Sequence, residues 1–168
     1  FLCIGYASIN NIALEFNGIS YAKSQNGLFI YDIKIIEDAE QNASASIMNY
    51  KKMMMNSSIT LEEKKSSSIT LEIETYNNSS TIHIFEDTTP NQYDEDFYSN
   101  KYITYEIDSR LKPGDLIEPY ERHSFSITFK YIDELDFNDL PEDFTNTLNS
   151  CINFNFASIE ASSSNHIL

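Results

Sequence analysis

LKPGDLIEPYERHSFSITFKY, residues 111–131, decides the architecture of this chain. A Pro-Gly turn (Pro113, Gly114) feeds a run in which apolar and polar residues alternate. Phe125, Ile127, Phe129 and Tyr131 share one face, and Ser124, Ser126, Thr128 and Lys130 share the other. Strand side chains alternate with period two, so this run buries one face of a sheet and leaves the other wet, an arrangement typical of antiparallel sheets. Burying four large side chains at about 1.5–3 kcal/mol each gives an upper figure of about 6–12 kcal/mol. A one-residue slip would turn all four outward, so that energy sets the register.

Working outward, the same pattern recurs. Residues 12–16 end at an Asn-Gly turn, and Leu28–Ile36 follows a second Asn-Gly. In Leu28–Ile36, Phe29, Tyr31, Ile33 and Ile35 fall on one face, and Leu28, Ile30 and Ile36 on the other, which predicts a central strand. Residues 58–62 and 68–76 read as a pair of strands, and 81–85 returns after an Asn-Asn-Ser turn. Residues 101–107 place Ile103, Tyr105 and Ile107 inward. Residues 151–156 set Ile152, Phe154 and Phe156 opposite Asn153 and Asn155. Seven to nine short strands at this spacing predict an all-β fold, an antiparallel β-sandwich of jelly-roll or Ig-like type. One or two short helices are permitted in the insertions: one around 39–54, where Ala and Met favour it and Asn and Ser oppose it, and one after Pro141, which sets a turn or a first helical turn.

The 168 residues suit one domain, and 41% hydrophobic content is enough for a core. A net charge of −15 repels nucleic acid and anionic lipid, and the longest basic clusters are Lys51-Lys52 and Lys64-Lys65, which excludes nucleic-acid binding. Trp and Val are absent, so Ile and Thr carry the β-branched role. Residues 1–7, FLCIGYA, read as the remnant of an apolar signal peptide, with Gly5 and Ala7 at the −3 and −1 positions of a cleavage. The expected organisation is then a signal remnant at 1–7, one β-sandwich domain at 8–157 and a Ser-rich tail at 158–168. No later stretch approaches the ~18 apolar residues of a membrane span. Removing the signal remnant takes Cys3 and leaves Cys151 alone, so no intramolecular disulfide is expected. Export without disulfides points to a bacterium with a single membrane, and the sequons at Asn42, Asn56, Asn77 and Asn78 then follow from a Ser/Asn-rich composition.

Chemistry is sparse. Asp133, Asp136, Asp139 and Asp143 lie in one acidic loop rich in hard oxygen donors, the ligand type calcium takes, although the spacing lacks the Gly and terminal Glu of an EF-hand. In so acidic a chain a solvated loop is the competing reading. His83 and His123 occupy strand positions read as exposed. HExxH, GxSxG and Gly-rich phosphate loops are missing, and no His shares a segment with Cys151. No cofactor other than calcium is expected. Tyr93, Phe97, Tyr98, Tyr102 and Tyr120 lie near loops or outward positions, where flat rings suit a glycan partner, with core or rim packing as the alternative.

Residues 5–18 (GYASINNIALEFNG), 26–35 (NGLFIYDIKI), 56–80 (NSSITLEEKKSSSITLEIETYNNSS) and 98–131 together resemble TasA/camelysin-like exported surface proteins of Gram-positive bacteria. The likeness rests on strand and turn patterns. It implies a signal peptide, a jelly-roll sandwich, a secreted or cell-surface location and, for some members, assembly into biofilm matrix fibres. Some members are labelled metallopeptidases, a role the missing HExxH disfavours here. The expectation is therefore a non-enzymatic surface or matrix protein that self-associates or joins other matrix proteins, with an adhesin or carbohydrate-binding module as the alternative. Ile9, Ile12, Leu14 and Phe16, just past the cleavage position, would form the strand added to a neighbouring subunit.

Overall fold

The computed structural model describes residues 27–36, 43–49, 53–90 and 100–160. Among them lie nine strands: β1 (Leu28–Ile36), β2 (Ala43–Asn49), β3 (Met54–Thr60), β4 (Ser68–Asn77), β5 (Thr81–Pro90), β6 (Ile103–Ile107), β7 (Leu116–Ile117), β8 (Arg122–Tyr131) and β9 (Thr147–Glu160). They form a four-stranded sheet, A, in the order β1-β4-β8-β6, and a five-stranded sheet, B, in the order β2-β3-β9-β5-β7. Every pairing is antiparallel. No helix occurs among the described residues, so the fold is the all-β sandwich that the alternating pattern predicts.

The run in β8 anchors the core. Phe125, Ile127 and Phe129 are fully buried, Tyr131 nearly so, and they join one cluster with Leu71 and Ile73 of β4 and with Ile59, Leu148, Ile152 and Phe154 of sheet B. Phe125 and Phe154 meet edge to face across the two sheets at 5.1 Å. The Pro-Gly turn forms as read. Asp115 N donates to the Lys112 carbonyl at 2.9 Å, and Gly114 takes φ 94°, where a side chain would be strained.

Several expectations give way. Among the described strands β1 lies at the edge of its sheet rather than in the centre, and a bulge at Tyr31 separates Ile30 from Asp32 in its register with β4. The extra residue reverses the alternation, so Leu28, Ile30, Ile33 and Ile35 face the core cluster while Phe29, itself 1% exposed, lies on the other face of the sheet. Residues 43–49 are a strand, not part of a helix. Ala43, Ala45 and Ile47 pack against the core and Ser44 and Ser46 are exposed, so the period-two pattern and pairing with β3 override the helix propensity of Ala and Met. After Pro141 the chain turns, with Phe144 N donating to the Pro141 carbonyl at 3.0 Å. β9 runs on to Glu160, three residues past the expected domain limit of 157.

The expected neighbours also change. β3 and β4 lie in different sheets, as do β4 and β5; among the described strands only β2 and β3 are consecutive and paired. In β5 the larger Phe85 takes the core, and this turns His83 inward and Ile82 and Ile84 outward. His123 shares the parity of Phe125 and is likewise half-buried.

Candidate functional site

The acidic loop after β8 is a cap on the end of the sandwich. Leu135 is buried, and Phe137 and Phe144 stack on Tyr131 with ring centroids at 4.9 and 6.0 Å. That spacing, 137, 140 and 144 with Leu140 packed on the core, is legible in the sequence once the loop is read for its apolar residues. The carboxylates have local partners. Asp136 accepts from Asn138 N at 2.9 Å and Asn138 Nδ2 at 3.0 Å, and these bonds hold its pKa below the usual range. Asp143 is bound by the Tyr102 hydroxyl and by Lys101 Nζ, with the same effect. Lys65 donates to the Asp133 carbonyl at 2.6 Å, and Asp139 N to the Asp136 carbonyl at 3.3 Å. The structure does not draw Asp133, Asp136, Asp139 and Asp143 together, and no three His, Cys, Asp or Glu side chains converge on a metal position among the described residues.

Ile9, Ile12, Leu14 and Phe16, with Tyr93, Phe97 and Tyr98, lie outside the described residues. Tyr102 packs on Phe144 at 5.6 Å. Tyr120 is 63% exposed and follows Pro119 in a turn closed by Glu121 N to the Glu118 carbonyl, with φ 61°.

Polar groups are most ordered on the outer face of sheet A. Arg110 grips Glu72 with two parallel bonds of 2.7 and 2.8 Å, reaches Asp108 at 2.7 Å and donates to Ser126 Oγ at 2.6 Å; Ser126 Oγ in turn donates to Glu72 at 2.6 Å. The Arg110 bonds, against the opposing effect of burial, lower the Glu72 pKa to about 2. A carboxylate so committed does not take up a proton near neutral pH, so Glu72 is a structural anion rather than a general base. One row up, Glu74 is bound by Lys34 and by the Tyr31 hydroxyl, and both bonds lower its pKa. At the end of the face the guanidinium of Arg122 sits 5.5 Å from the centroid of Tyr31 and 5.8 Å from that of Tyr76. Sequence alone does not show this group because its members come from β1, β4, β8 and the turn after β6, and Tyr31 joins it through the bulge.

Sheet B differs. On its outer face Ile82 lies opposite Ile159, and Ile84 opposite Leu116 and Ala157; Leu116 and Ile159 are 48% and 47% exposed. On its inner face His83 Nδ1 meets Ser158 Oγ at 3.2 Å, while Nε2 is enclosed without a hydrogen-bond partner, and burial lowers the imidazole pKa. His83 lines a recess of about 280 Å³ with Leu28, Met53, Phe154 and Phe156. At the far edge of sheet B, β2 (ASASIMN) carries neither a charge nor a proline. The other strands that end a sheet among the described residues are guarded: β1 by Asp32, Lys34 and its bulge, β6 by Glu106, and β7 by being two residues long.

No helix among the described residues is long and apolar enough to cross a membrane. No protein-family model, curated protein or solved structure matches the chain.

Proposed function

We propose that this chain is a secreted, non-enzymatic surface or matrix protein of the TasA/camelysin-like kind, whose copies join by strand addition. The observation that carries the reading is β2. It is a seven-residue edge strand, paired on one side among the described residues, with no charge, no proline and Ala43, Ala45 and Ile47 facing the core. Unguarded edges of this kind accept a further strand, and folded monomers usually block them. The donor is the segment with Ile9, Ile12, Leu14 and Phe16, where the last three recur at the period that lets one strand face lie down on a core. The exposed Leu116 and Ile159 on the opposite flank of sheet B support an associating surface.

The test compares three proteins by light scattering and negative-stain microscopy: the chain from Ser8, the same chain lacking 8–16, and Ser44→Lys/Ser46→Lys, which places two charges on the outward positions of β2. Filaments from the first and none from the two folded variants are expected. Filaments from the β2 variant would exclude that edge, and a stable monomer from the parent chain would exclude assembly. A second reading, an adhesin or carbohydrate-binding module, draws on a different observation, the Tyr31 and Tyr76 rings amid polar residues on sheet A.

A further inference from the structure

Among the described residues three cations, Lys65, Lys112 and Arg122, stand in no ion pair. Lys34, Lys64, Lys101, Arg110 and Lys130 each lie within ion-pair distance of a carboxylate, and Lys65 is bound to a carbonyl. Lys112 lies in the exposed turn before β7, whereas Arg122 lies on β8 and has no carboxylate partner among the described residues, in a chain whose net charge is −15. Its neighbour Glu121 accepts from the Glu118 amide at 2.7 Å and makes no ion pair with the guanidinium. The guanidinium is nonetheless positioned. It lies over two tyrosine rings, and both rings are themselves fixed: Tyr31 through its hydroxyl on Glu74, Tyr76 through an edge-to-face contact with Phe29 at 5.9 Å. Tyr76 and Arg122 are direct partners in the β4–β8 register, so regular sheet carries two of the three groups.

We infer that Tyr31, Tyr76 and Arg122 form a binding site for a sugar that carries a single carboxylate. A guanidinium presents a planar fork of N–H donors that matches a carboxylate in a two-bond contact, and stacking on the rings settles its orientation before the ligand arrives. The half-buried rings flank the guanidinium with apolar surface suited to the C–H face of a pyranose, and Asp32 lies in the adjoining row for hydroxyl contacts. Net charge selects the ligand further. A polyanion would meet the repulsion of the whole chain, whereas one carboxylate responds to charges within about 8 Å at physiological salt. The site stands on its own geometry, and only the choice of an extracellular sugar rests on the surface-protein reading.

The experiment uses the Ser44→Lys/Ser46→Lys chain, so sugar binding is read apart from assembly. Resonances of the Arg122 Nε–H and the tyrosine rings are followed as 3′-sialyllactose, lactose, acetate or inorganic phosphate is added. Expected is a dissociation constant on the order of 1 mM for sialyllactose, with shifts at Arg122, Tyr31 and Tyr76, and far weaker response to the other three. Arg122→Gln and Arg122→Lys should each weaken binding at least tenfold, the second because an ammonium lacks the fork. Lys112→Gln should leave it unchanged. Absence of any shift, equal binding of lactose, equal binding of acetate or phosphate, or full binding by Arg122→Gln would each overturn the assignment.

Discussion

Asn77 is completely buried, and its side-chain amide donates to the carbonyls of Thr81 at 2.7 Å, Glu118 at 3.0 Å and Ile117 at 3.3 Å, while its oxygen accepts from the Ser79 hydroxyl at 2.7 Å. One side chain thus ties the crossing from β4 to β5 to the turn before β8. Asn77→Ala strands these groups without partners and should cost about 2–3 kcal/mol in urea unfolding. The same enclosure leaves no room for a glycan on the Asn77 sequon. Two further residues contribute to the response to acid. Glu72, held at about 2 against an ordinary 4.5, adds stability that is complete above about pH 4.5 and lost as pH falls toward 2. His83, lowered from 6.5 by burial, stays neutral in the fold while the unfolded chain takes up a proton, so its contribution is complete above about pH 6.5 and lost as pH falls through the folded value. Thermal melts against pH should show both limbs: Glu72→Gln shrinks the one below pH 4.5, to which Glu74 also contributes, and His83→Phe removes the one that begins near 6.5.

At the scale of the strand, the contrast between β1 and β8 is instructive. β8 has no bulge, and every alternation read from its sequence holds from Ser124 to Tyr131. β1 spans the residues expected, Leu28–Ile36, yet half its inward residues differ from the simple alternation because Tyr31 is supernumerary in the ladder. Deleting Tyr31 should therefore leave a regular strand with Leu28, Ile30, Ile33 and Ile35 still inward, a cooperative unfolding transition within about 1 kcal/mol of the parent, and no aromatic clamp on Arg122. Deleting Ser126 from β8 should abolish folding, since Phe125 and Ile127 would be forced to opposite faces. Circular dichroism and urea melts of the two deletions separate the cases. β5 shows the limit of pattern alone. In TIHIF the simple alternation favours burying Ile82 and Ile84 over a face with Phe85 alone as its apolar residue, yet packing volume places Phe85 and His83 inward.

For the whole molecule, charge opposes the proposed assembly. Copies carrying −15 each repel, and raising salt from about 10 mM to about 150 mM shortens the screening length from about 30 Å to about 8 Å. Filament formation by the chain from Ser8 should accelerate over that range in a scattering time course, whereas assembly held by ion pairs between copies would slow. The two-sheet architecture was legible because strand alternation is a local property: a run with one apolar face needs a second layer to cover it, and residues 124–131 alone contain that requirement. Turn chemistry at Pro113-Gly114 was legible for the same reason, since the conformation depends on the two residues that adopt it. Neighbour order, the bulge and the inward face of β5 were not, because they minimise exposed area over both sheets at once. The groups on sheet A fall in that second class: Arg110 meets Glu72 across 38 residues, and Tyr31 meets Glu74 across 43. Sequence by itself determined that this chain is an antiparallel all-β protein whose strands turn an apolar face to a shared core; the tertiary structure decided the neighbour order of the described strands and which polar side chains converge, because crossings between the sheets bring together residues that no local period relates.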